Sequence, residues 1–395
     1  MIKQLFRSCI FLLVLNAALS SCSNNGVVKE SSTADKMGRF PEKGDMIMLT
    51  DRPPQLETPL NIFQQDITPN DYFFVRWHLS QILTKIDIDT FRLYIGGAVD
   101  KPIAISMKDL KSKYPADSVI ALAICSGNSR STFSPRVPSG QWGNGAMGNA
   151  KWKGVKLKTI LEAAGIKKGA IEVTFQGMDK GPLPDIPVFV KSLSIDHALD
   201  GEVLIAYEMN GQDIPMLNGY PLKLVVPGWY ATYWVGSLNT IKVLTDTFKG
   251  FWMTKAYQVV NNAEANESPD SPAKVTVPVS HIKLNSIFIL PEPHQPVAYG
   301  QPCHVEGLAF NDGTGIKKVE VSVDSGKNWM ETTLNPEISK YSWRRWKYEW
   351  VPKTIGINHL MVRATDNNGF TQTSKQWNRG GYAKGFIEQL DVKVK

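Results

Sequence analysis

Short apolar runs separated by turn residues predict a first unit of mixed strands and helices. Phe91–Ile95 and Ser118–Ile124 have the length and residue types of strands, and Leu157–Ala164 has helical periodicity. Leu222–Val226 is a continuous apolar run followed by Pro-Gly, typical of a buried strand that leads into a turn. These patterns predict an α+β unit over residues 51–262.

From about residue 275 the pattern changes to strands alone. Short alternating runs are separated by Asn-Asp-Gly, Asp-Ser-Gly and Asp-Asn-Asn-Gly turns. The runs are Val305–Phe310, Lys317–Val323 and His359–Ala364. This density of turns predicts an all-β, immunoglobulin-like sandwich over residues 275–395. The polar stretch Asn261–Lys274 is the predicted linker between the two units.

The N-terminus has the pattern of a bacterial export signal. Lys3 and Arg7 precede the apolar stretch Ile10–Leu19, which is too short to span a bilayer. The following Ser-Ser-Cys resembles a lipobox. The segment before it has no Arg-Arg pair, which is the mark of the twin-arginine export route. We therefore expect a lipoprotein signal peptide at 1–21, lipidation of Cys22, a tether at 22–50, and anchoring on the periplasmic side of a bacterial membrane.

Composition and charge narrow the function classes. The 395 residues, 43% hydrophobic and 21% charged, indicate a globular protein of more than one domain. The net charge of +7 is spread along the chain, which fits anionic ligands held at particular arginines better than nucleic acid. Outside the predicted signal and Cys22, only Cys125 and Cys303 remain, so at most one disulfide can form between them. The sequence contains no C-x-x-C-H motif for covalent haem attachment.

The segment from Ala121 to Trp152 carries the densest candidate chemistry. A small apolar strand leads into the turn Cys125-Ser-Gly-Asn, and Arg130 follows five residues after the cysteine. A thiol in this setting either packs in the core or serves as a placed ligand. The nearby cation favours the thiolate, which is the form that binds soft metals. No histidine is close in sequence to act as the base of a nucleophilic cysteine.

This segment resembles the molybdenum-binding core of the sulfite oxidase family. The matching motifs are Cys-Ser-Gly-Asn-Ser-Arg at 125–130, Trp142, and Gly-Ala-Met-Gly-Asn-Ala-Lys-Trp at 145–152. The stretches 73–78, 205–228 and 251–257 resemble further motifs of the family, in the family's order. The resemblance extends to the bacterial periplasmic sulfite dehydrogenases, which lack a fused cytochrome b5 domain.

The resemblance implies a set of substrate and metal residues. Cys125 would be the single protein ligand to the molybdenum of Mo-molybdopterin. Arg76, Arg130 and Tyr257 would surround the bound oxyanion, because a buried dianion requires cations and fixed donors. Trp142 would form the floor of the pocket. Arg379 would reach the substrate from the second domain, and Lys384 is its rival because the register of that segment is open.

The resemblance also implies the residues that hold the cofactor. The expected contacts are Phe74, Val75, Arg76, His78, Cys125, Asp179, Asn218, Lys223, Trp234, Val235 and Gly236. Two of these depart from the family's pattern: Asn218 stands where a histidine is common, and Gly236 where a lysine is common. Asn218 would have to act as a donor, and Gly236 can offer only its backbone.

The function implied by the resemblance is oxidation of sulfite to sulfate by oxygen-atom transfer. Electrons would pass singly to an external acceptor such as a c-type cytochrome, and the sandwich would form a homodimer. Two alternatives remain open. The first is a same-fold molybdopterin reductase acting on a sulfoxide or nitrate. The second is a non-catalytic surface lipoprotein that has lost its metal.

Overall fold

The computed structural model describes residues 37–38 and 40–395. The predicted signal peptide, Cys22 and most of the predicted tether therefore lie outside the described residues. Within the described part of the chain, no helix is both long and apolar enough to cross a bilayer.

The first unit consists of short strands and four short α-helices among the described residues. Its strands are β1 (Met37–Gly38), β2 (Met46–Asp51), β3 (Pro54–Glu57), β4 (Val75–Arg76), β5 (Leu93–Gly97), β6 (Ile103–Ile105), β7 (Ala116–Ile124), β8 (Met147–Lys156), β9 (Glu172–Gly177), β10 (Val190–Ser194), β11 (Leu204–Met209), β12 (Gln212–Asp213), β13 (Lys223–Val225) and β14 (Leu238–Leu244). Its α-helices are α1 (Met107–Lys113), α2 (Leu157–Ala164), α3 (Ile195–Leu199) and α4 (Phe251–Thr254). Sheet therefore dominates the unit that the sequence predicted as α+β.

Three sheets build this unit. The first has the order β1-β2-β3-β4, the second β10-β9-β14-β5-β6, and the third β12-β11-β8-β7 with β13 also paired to β11. Strand β2 pairs with β3 from Ile47 onward, so the folded unit includes residues that the sequence assigned to the tether. These residues join the folded unit because β2 has an apolar face. The completely buried Met46 packs in a small core with Leu56 and Trp77, and Met48 packs against the same core.

The second unit is all-β. Its strands are β15 (Gln258–Val260), β16 (Thr276–Pro278), β17 (Asn285–Leu290), β18 (Cys303–Phe310), β19 (Ile316–Ser322), β20 (Met330–Glu331), β21 (Thr333–Leu334), β22 (Arg344–Trp350), β23 (Gly356–Asp366) and β24 (Glu388–Val394). The sheets β17-β18-β22-β21 and β20-β19-β23-β24 enclose a core that contains Val305, Trp346 and Val362. The prediction of a second all-β domain is confirmed. Cys125 and Cys303 are both free thiols, so they form no disulfide.

Several predicted elements agree with the structure in position. Helix α2 has the predicted bounds, and it ends at Gly165, whose φ of +71° suits a residue without a side chain. The Gly165 N–H donates to the carbonyls of Leu161 and Glu162. Strand β5 begins two residues later than predicted.

The two units are packed against each other. The backbone N–H of Leu122 in β7 donates to the carbonyl of Tyr341 at 2.9 Å. The buried guanidinium of Arg345 binds Asp66 and the carbonyl of Phe63 in the first unit. The predicted linker is tied down as well, because the N–H of Glu267 donates to the carbonyl of Trp377 at 2.7 Å. Arg130, in the turn after β7, donates from its Nε to the carbonyl of Gly380 at 3.0 Å, so the segment around residue 380 lies close to that turn.

Candidate active site

Strand β7 ends at a turn that fixes Cys125. The cysteine N–H donates to the carbonyl of Ala146 at 2.9 Å, and its own carbonyl accepts from the N–H of Asn128 at 2.9 Å. Ser129 adopts a left-handed conformation with φ +63°, and its N–H donates to the carbonyl of Gly143 at 2.6 Å. The turn is therefore held on both sides, and the thiol, which is 8% exposed, lies in the wall of a cavity.

This cavity, together with the open solvent at its mouth, has an empty volume of about 840 Å³. Ten of the residues predicted from the sequence lie in its wall: Phe74, Arg76, His78, Cys125, Asp179, Asn218, Lys223, Trp234, Gly236 and Tyr257. Their roles remain predictions, but the structure brings residues from six separate stretches of the chain to one place.

Arg76 and Tyr257 face each other across part of this wall. Arg76 ends β4, and its Cζ lies 5.9 Å from the centroid of the Tyr257 ring. Tyr257 has a φ of +55° and is 5% exposed, so its backbone is held in an uncommon conformation. Burial raises the pKa of Tyr257, while the positive charges of Arg76 and Arg130 oppose that rise. The phenol is therefore a neutral hydrogen-bond donor.

The ring of His78 is enclosed by aromatic side chains. It stacks on Phe189 with a centroid separation of 3.6 Å and meets the edges of Trp252 and Tyr257. Burial, assisted by the charges of Arg76 and two lysines, holds the pKa of His78 well below its usual value. Its buried Nε2 has no hydrogen-bond partner. A neutral imidazole with a free ring nitrogen is suited to a polar ligand in the cavity.

Two hydrogen bonds fix the orientation of the side-chain amide of Asn218. Its Oδ1 accepts from the ammonium of Lys43 at 2.6 Å, and its Nδ2 donates to the carbonyl of Phe74 at 3.0 Å. One N–H of Nδ2 serves the carbonyl of Phe74, and the second N–H is left as a donor, so the role of Asn218 toward a ligand stays a prediction. Lys43 therefore places a cation directly behind Asn218.

The remaining predicted cofactor residues present ionisable side chains or backbone groups to the cavity. Burial lowers the pKa of Lys223 to about 8, and its Nζ donates to the carbonyl of Asn218 at 2.9 Å. Burial raises the pKa of Asp179 to about 6. A Cβ on Gly236 would lie 3.0 Å from the Cα of Gly219, so the two backbones are close together there. Gly236 therefore presents only its peptide groups, as its sequence predicts.

Three other predicted residues, Val75, Val235 and Trp142, lie behind the wall, and a fourth, Arg130, lies beside it. Val75 packs in the small core beside β2, and the buried Val235 donates its N–H to the carbonyl of Tyr233. Trp142 is 1% exposed and packs in the main core beside the cysteine turn, so it supports the wall from behind and does not form a floor. Arg130 is 4% exposed, and its Nε and Nη1 donate to the carbonyls of Gly380 and Gly140.

The structure does not bring Arg379 into the site. Its guanidinium binds the carboxylate of Glu267 and the carbonyl of Ala273, and its side chain is 47% exposed. Its rival Lys384 is buried but forms an ion pair with Glu388 at 2.6 Å. Both side chains are paired with carboxylates and neither residue lies in the cavity wall, so the structure contradicts the prediction that Arg379 reaches the substrate.

Sequence reasoning missed several residues that shape the site. Glu57, 6% exposed, accepts from the N–H groups of Gly143 and Gly145 and so fixes the loop beside the cysteine turn. Lys191 is completely buried, donates to the carbonyl of Trp252 at 2.8 Å, and lies 4.3 Å from the ring centroid of Tyr233. Tyr382 stacks on Tyr257. None of the three has a local sequence signal, because each acts through contacts distant in sequence.

The cavity fits the group that the sequence implied. Three wall residues carry buried polar atoms without partners, namely His78 Nε2, Ser126 Oγ and Thr232 Oγ1. Unpaired buried polar atoms are costly in a folded chain unless a ligand binds them. The wall also holds the cations Arg76 and Lys223 and the thiol of Cys125, a set that suits a polar, phosphorylated ligand with a soft metal.

Comparisons with known families cover most of the chain. Residues 79–252 match the oxidoreductase molybdopterin binding domain, and residues 277–387 match the Mo-co oxidoreductase dimerisation domain. A sulfite oxidase of Arabidopsis thaliana is 31% identical over 343 residues, which are 80% of this chain and 85% of the relative. The mitochondrial sulfite oxidase of Rattus norvegicus is 28% identical over 360 residues, and the match spans 87% of this chain but only 64% of that relative.

Two further matches are a relative with a different named activity and a solved structure. An NADH nitrate reductase of Cichorium intybus is 28% identical over 380 residues, covering 89% of this chain and 41% of the relative. The crystal structure of the sulfane dehydrogenase SoxCD from Paracoccus pantotrophus superposes with a TM-score of 0.76 at 22% identity. That superposition covers 96% of this chain and 93% of the other, so the two share a fold over nearly their whole lengths.

Proposed function

This chain belongs to the sulfite oxidase family of Mo-molybdopterin oxidoreductases, and from that premise we propose that it oxidises sulfite to sulfate. The single observation that carries the proposal is the position of Cys125 in the same cavity wall as Arg76 and Tyr257. A thiolate ligand, a cation and a neutral phenol around one space match the needs of a small sulfur oxyanion at a metal.

The residues of this chain would divide the work as follows. When bound, Mo-molybdopterin supplies oxygen-atom transfer and accepts two electrons. Cys125 holds the metal, and Arg76 binds the oxyanion and balances its charge. Tyr257 donates its phenolic proton in a hydrogen bond without ionising, because burial keeps its pKa raised. His78 and Lys223 offer a free imidazole nitrogen and a cation to the pterin and its phosphate.

Electrons leave the chain through a partner in this proposal. The sequence has no haem-attachment motif, so we assign the role of acceptor to a separate one-electron carrier, with a c-type cytochrome as the candidate. The match of residues 277–387 to a dimerisation domain supports a homodimer. Size-exclusion chromatography with light scattering tests the dimer, and a mass of one chain would contradict it.

We also propose that Cys22 anchors the protein by lipid on the periplasmic side of a bacterial membrane. The support is the signal-like pattern that precedes Cys22 in the sequence. Expression of the full chain with Cys22→Ala tests this directly. The expected result is release of the protein from the membrane fraction, and retention of the variant in that fraction would contradict the anchor.

A reductase is the second candidate function, favoured by the similarity to a nitrate reductase. The two candidates are separated by assaying one metal-loaded sample in both directions. Sulfite should reduce ferricyanide, whereas nitrate and dimethyl sulfoxide should leave reduced viologen unoxidised. Turnover of nitrate without turnover of sulfite would replace the proposed function. A protein that binds no molybdenum after reconstitution would support a non-catalytic lipoprotein.

A further inference from the structure

The second unit places an aromatic ring between two predicted substrate residues. The Tyr382 ring lies 5.4 Å from that of Tyr257, centroid to centroid, with an interplanar angle of 29°. The Cζ of Arg130 lies 5.0 Å from the centroid of the same ring. Tyr382 thus contacts a phenol and a guanidinium that come from two distant parts of the first unit.

The backbone holds Tyr382 firmly in this position. The N–H of Ala383 donates to the carbonyl of Ser126 at 2.8 Å, and Arg130 Nε donates to the carbonyl of Gly380 at 3.0 Å. The side chain of Asn378 closes a loop on Tyr382, accepting from its N–H at 3.0 Å and donating to its carbonyl at 2.9 Å. The ring is therefore fixed relative to the cysteine turn.

Close packing around the segment adds to this restraint. Gly381 has a φ of +55°, and a Cβ there would lie 2.5 Å from Cγ2 of Val137 and 2.7 Å from Cγ of Arg130. The stem of Arg130 therefore runs directly along this backbone. Two of the guanidinium nitrogens bind carbonyls, and the ring of Tyr382 covers the guanidinium itself.

The arginines of the site also affect the pKa of Tyr382. Burial raises the pKa of its phenol, and Arg130 and Arg76 oppose the rise. The ring therefore stays neutral and can face a cation at close range, which is a favourable arrangement for an aromatic face. Arg379, which the sequence suggested for this region, is held by Glu267 instead.

We propose that Tyr382 is a positioning residue, whose ring holds Arg130 and Tyr257 at a fixed separation for the sulfur oxyanion. The inference rests on the proposed function, because the oxyanion is its substrate. The second unit then completes the substrate site through a neutral ring and supplies no third cation. The ring, and not the hydroxyl, is the part that acts.

Two substitutions in the metal-loaded enzyme test this. Tyr382→Phe keeps the ring and should leave the KM for sulfite within about twofold of wild type. Tyr382→Met removes the ring at similar volume and should raise KM about tenfold, equivalent to about 1.4 kcal/mol, with a smaller change in kcat. Tyr299→Met, at an exposed tyrosine of the second unit, is the matched control and should change neither constant.

A binding measurement separates this inference from the proposed function. Calorimetric titration with sulfate reports oxyanion affinity without turnover, and it should weaken about tenfold in Tyr382→Met but not in Tyr382→Phe. If wild type does not oxidise sulfite yet the sulfate affinities follow this pattern, the proposed function fails and the positioning role stands. Equal sulfate affinity in wild type and Tyr382→Met would overturn the inference.

Two further results complete the test. Equal losses in Tyr382→Phe and Tyr382→Met would assign the effect to the hydroxyl and would also overturn the positioning role. If Tyr382→Met does not fold, Tyr382→Leu takes its place with the same expected loss of sulfate affinity. Molybdenum content, measured for each variant, should match wild type if the ring acts on the substrate residues alone.

Discussion

The ammonium of Lys43 lies 2.6 Å from Oδ1 of Asn218, a residue 175 positions later in the chain. The same Nζ donates to the carbonyls of Asn70 at 2.7 Å and Phe73 at 2.9 Å. Lys43 is 8% exposed, so its charge lies directly behind the cavity wall. A segment with the composition of a tether therefore orients an asparagine of the predicted cofactor site.

Substitution of this lysine should weaken both the fold and the hold on the cofactor. Lys43→Met leaves the Oδ1 of Asn218 and the carbonyl of Phe73 without the donor they have in the wild type, which should lower the free energy of unfolding by about 1–3 kcal/mol. Urea unfolding of the cofactor-free protein measures that loss, and the molybdenum content after gel filtration measures retention. The exposed Lys108→Met is the control. Wild-type stability and metal content in Lys43→Met would contradict the role of Lys43.

Stability should also depend on pH in the alkaline range. Burial lowers the pKa of Lys43 and of Lys191 to about 7, and that of Lys223 to about 8, from the ordinary value of 10.5. Between pH 7 and 10.5 the unfolded chain binds more protons than the folded chain, so stability rises with pH. Urea unfolding of the cofactor-free protein at pH 7, 8 and 9 should show this rise, with a smaller slope in Lys43→Met. A flat or falling profile would be incompatible with buried lysines of lowered pKa.

In the turn after Cys125, the position next to Arg130 has room only for glycine. A Cβ on Gly127 would lie 2.5 Å from Cζ and 2.7 Å from Nη1 of the Arg130 guanidinium. Gly127→Ala should therefore displace the guanidinium and lower kcat/KM for sulfite about 10- to 100-fold, because small misplacements of substrate-binding groups are costly.

Steady-state kinetics of the metal-loaded variant provides the check for Gly127→Ala. Gly96→Ala is the matched control, since a Cβ on Gly96 meets no atom within 4 Å. A Gly127→Ala enzyme with wild-type kcat/KM would show that the position of Arg130 does not matter for turnover.

The ion pair between Arg379 and Glu267 should contribute to stability and not to substrate binding. Hydrogen bonds from Arg379 hold the pKa of Glu267 at about 2 instead of 4.5. Because the folded carboxyl has the lower pKa, its stabilisation is present above pH 4.5 and is lost as the pH falls toward 2. Arg379→Gln should lower the free energy of unfolding at pH 7 by about 1 kcal/mol, a modest value because the arginine is half exposed.

The difference between Arg379→Gln and wild type should shrink as the pH falls from 4.5 toward 2, as followed by urea unfolding. The KM for sulfite should stay within about twofold of wild type, since Arg379 is bound to Glu267 and lies outside the cavity wall. A large rise in KM at unchanged stability would restore Arg379 as a substrate residue.

The sequence could predict the residues that lie in ordered motifs. Cys125, Arg76, His78 and Tyr257 each stand in a short pattern whose order along the chain resembles one family, and the structure gathers all four in one wall. The all-β character of the second unit could be predicted as well, because its turns recur at short intervals.

Residues whose role depends on tertiary packing could not be predicted. Lys43 and Lys191 are lysines in unremarkable local contexts, and only packing against distant segments buries them. The choice between Arg379 and Lys384 depends on the path of one irregular loop, which hydrophobic periodicity does not determine. The position of Tyr382 beside Tyr257 depends on the same loop. Glu57 and Gly143 meet across 86 positions of the chain, a contact that no local pattern indicates.

The most direct test of the account compares wild type with Cys125→Ser. Each protein is loaded with cofactor, its molybdenum is quantified, and sulfite-dependent reduction of ferricyanide is measured in the same sample. Cys125→Ser should retain its fold and lose turnover, because the serine hydroxyl is a far weaker ligand than a thiolate for a soft metal. Turnover per molybdenum in the variant equal to that of wild type would contradict the assignment of Cys125 as the metal ligand.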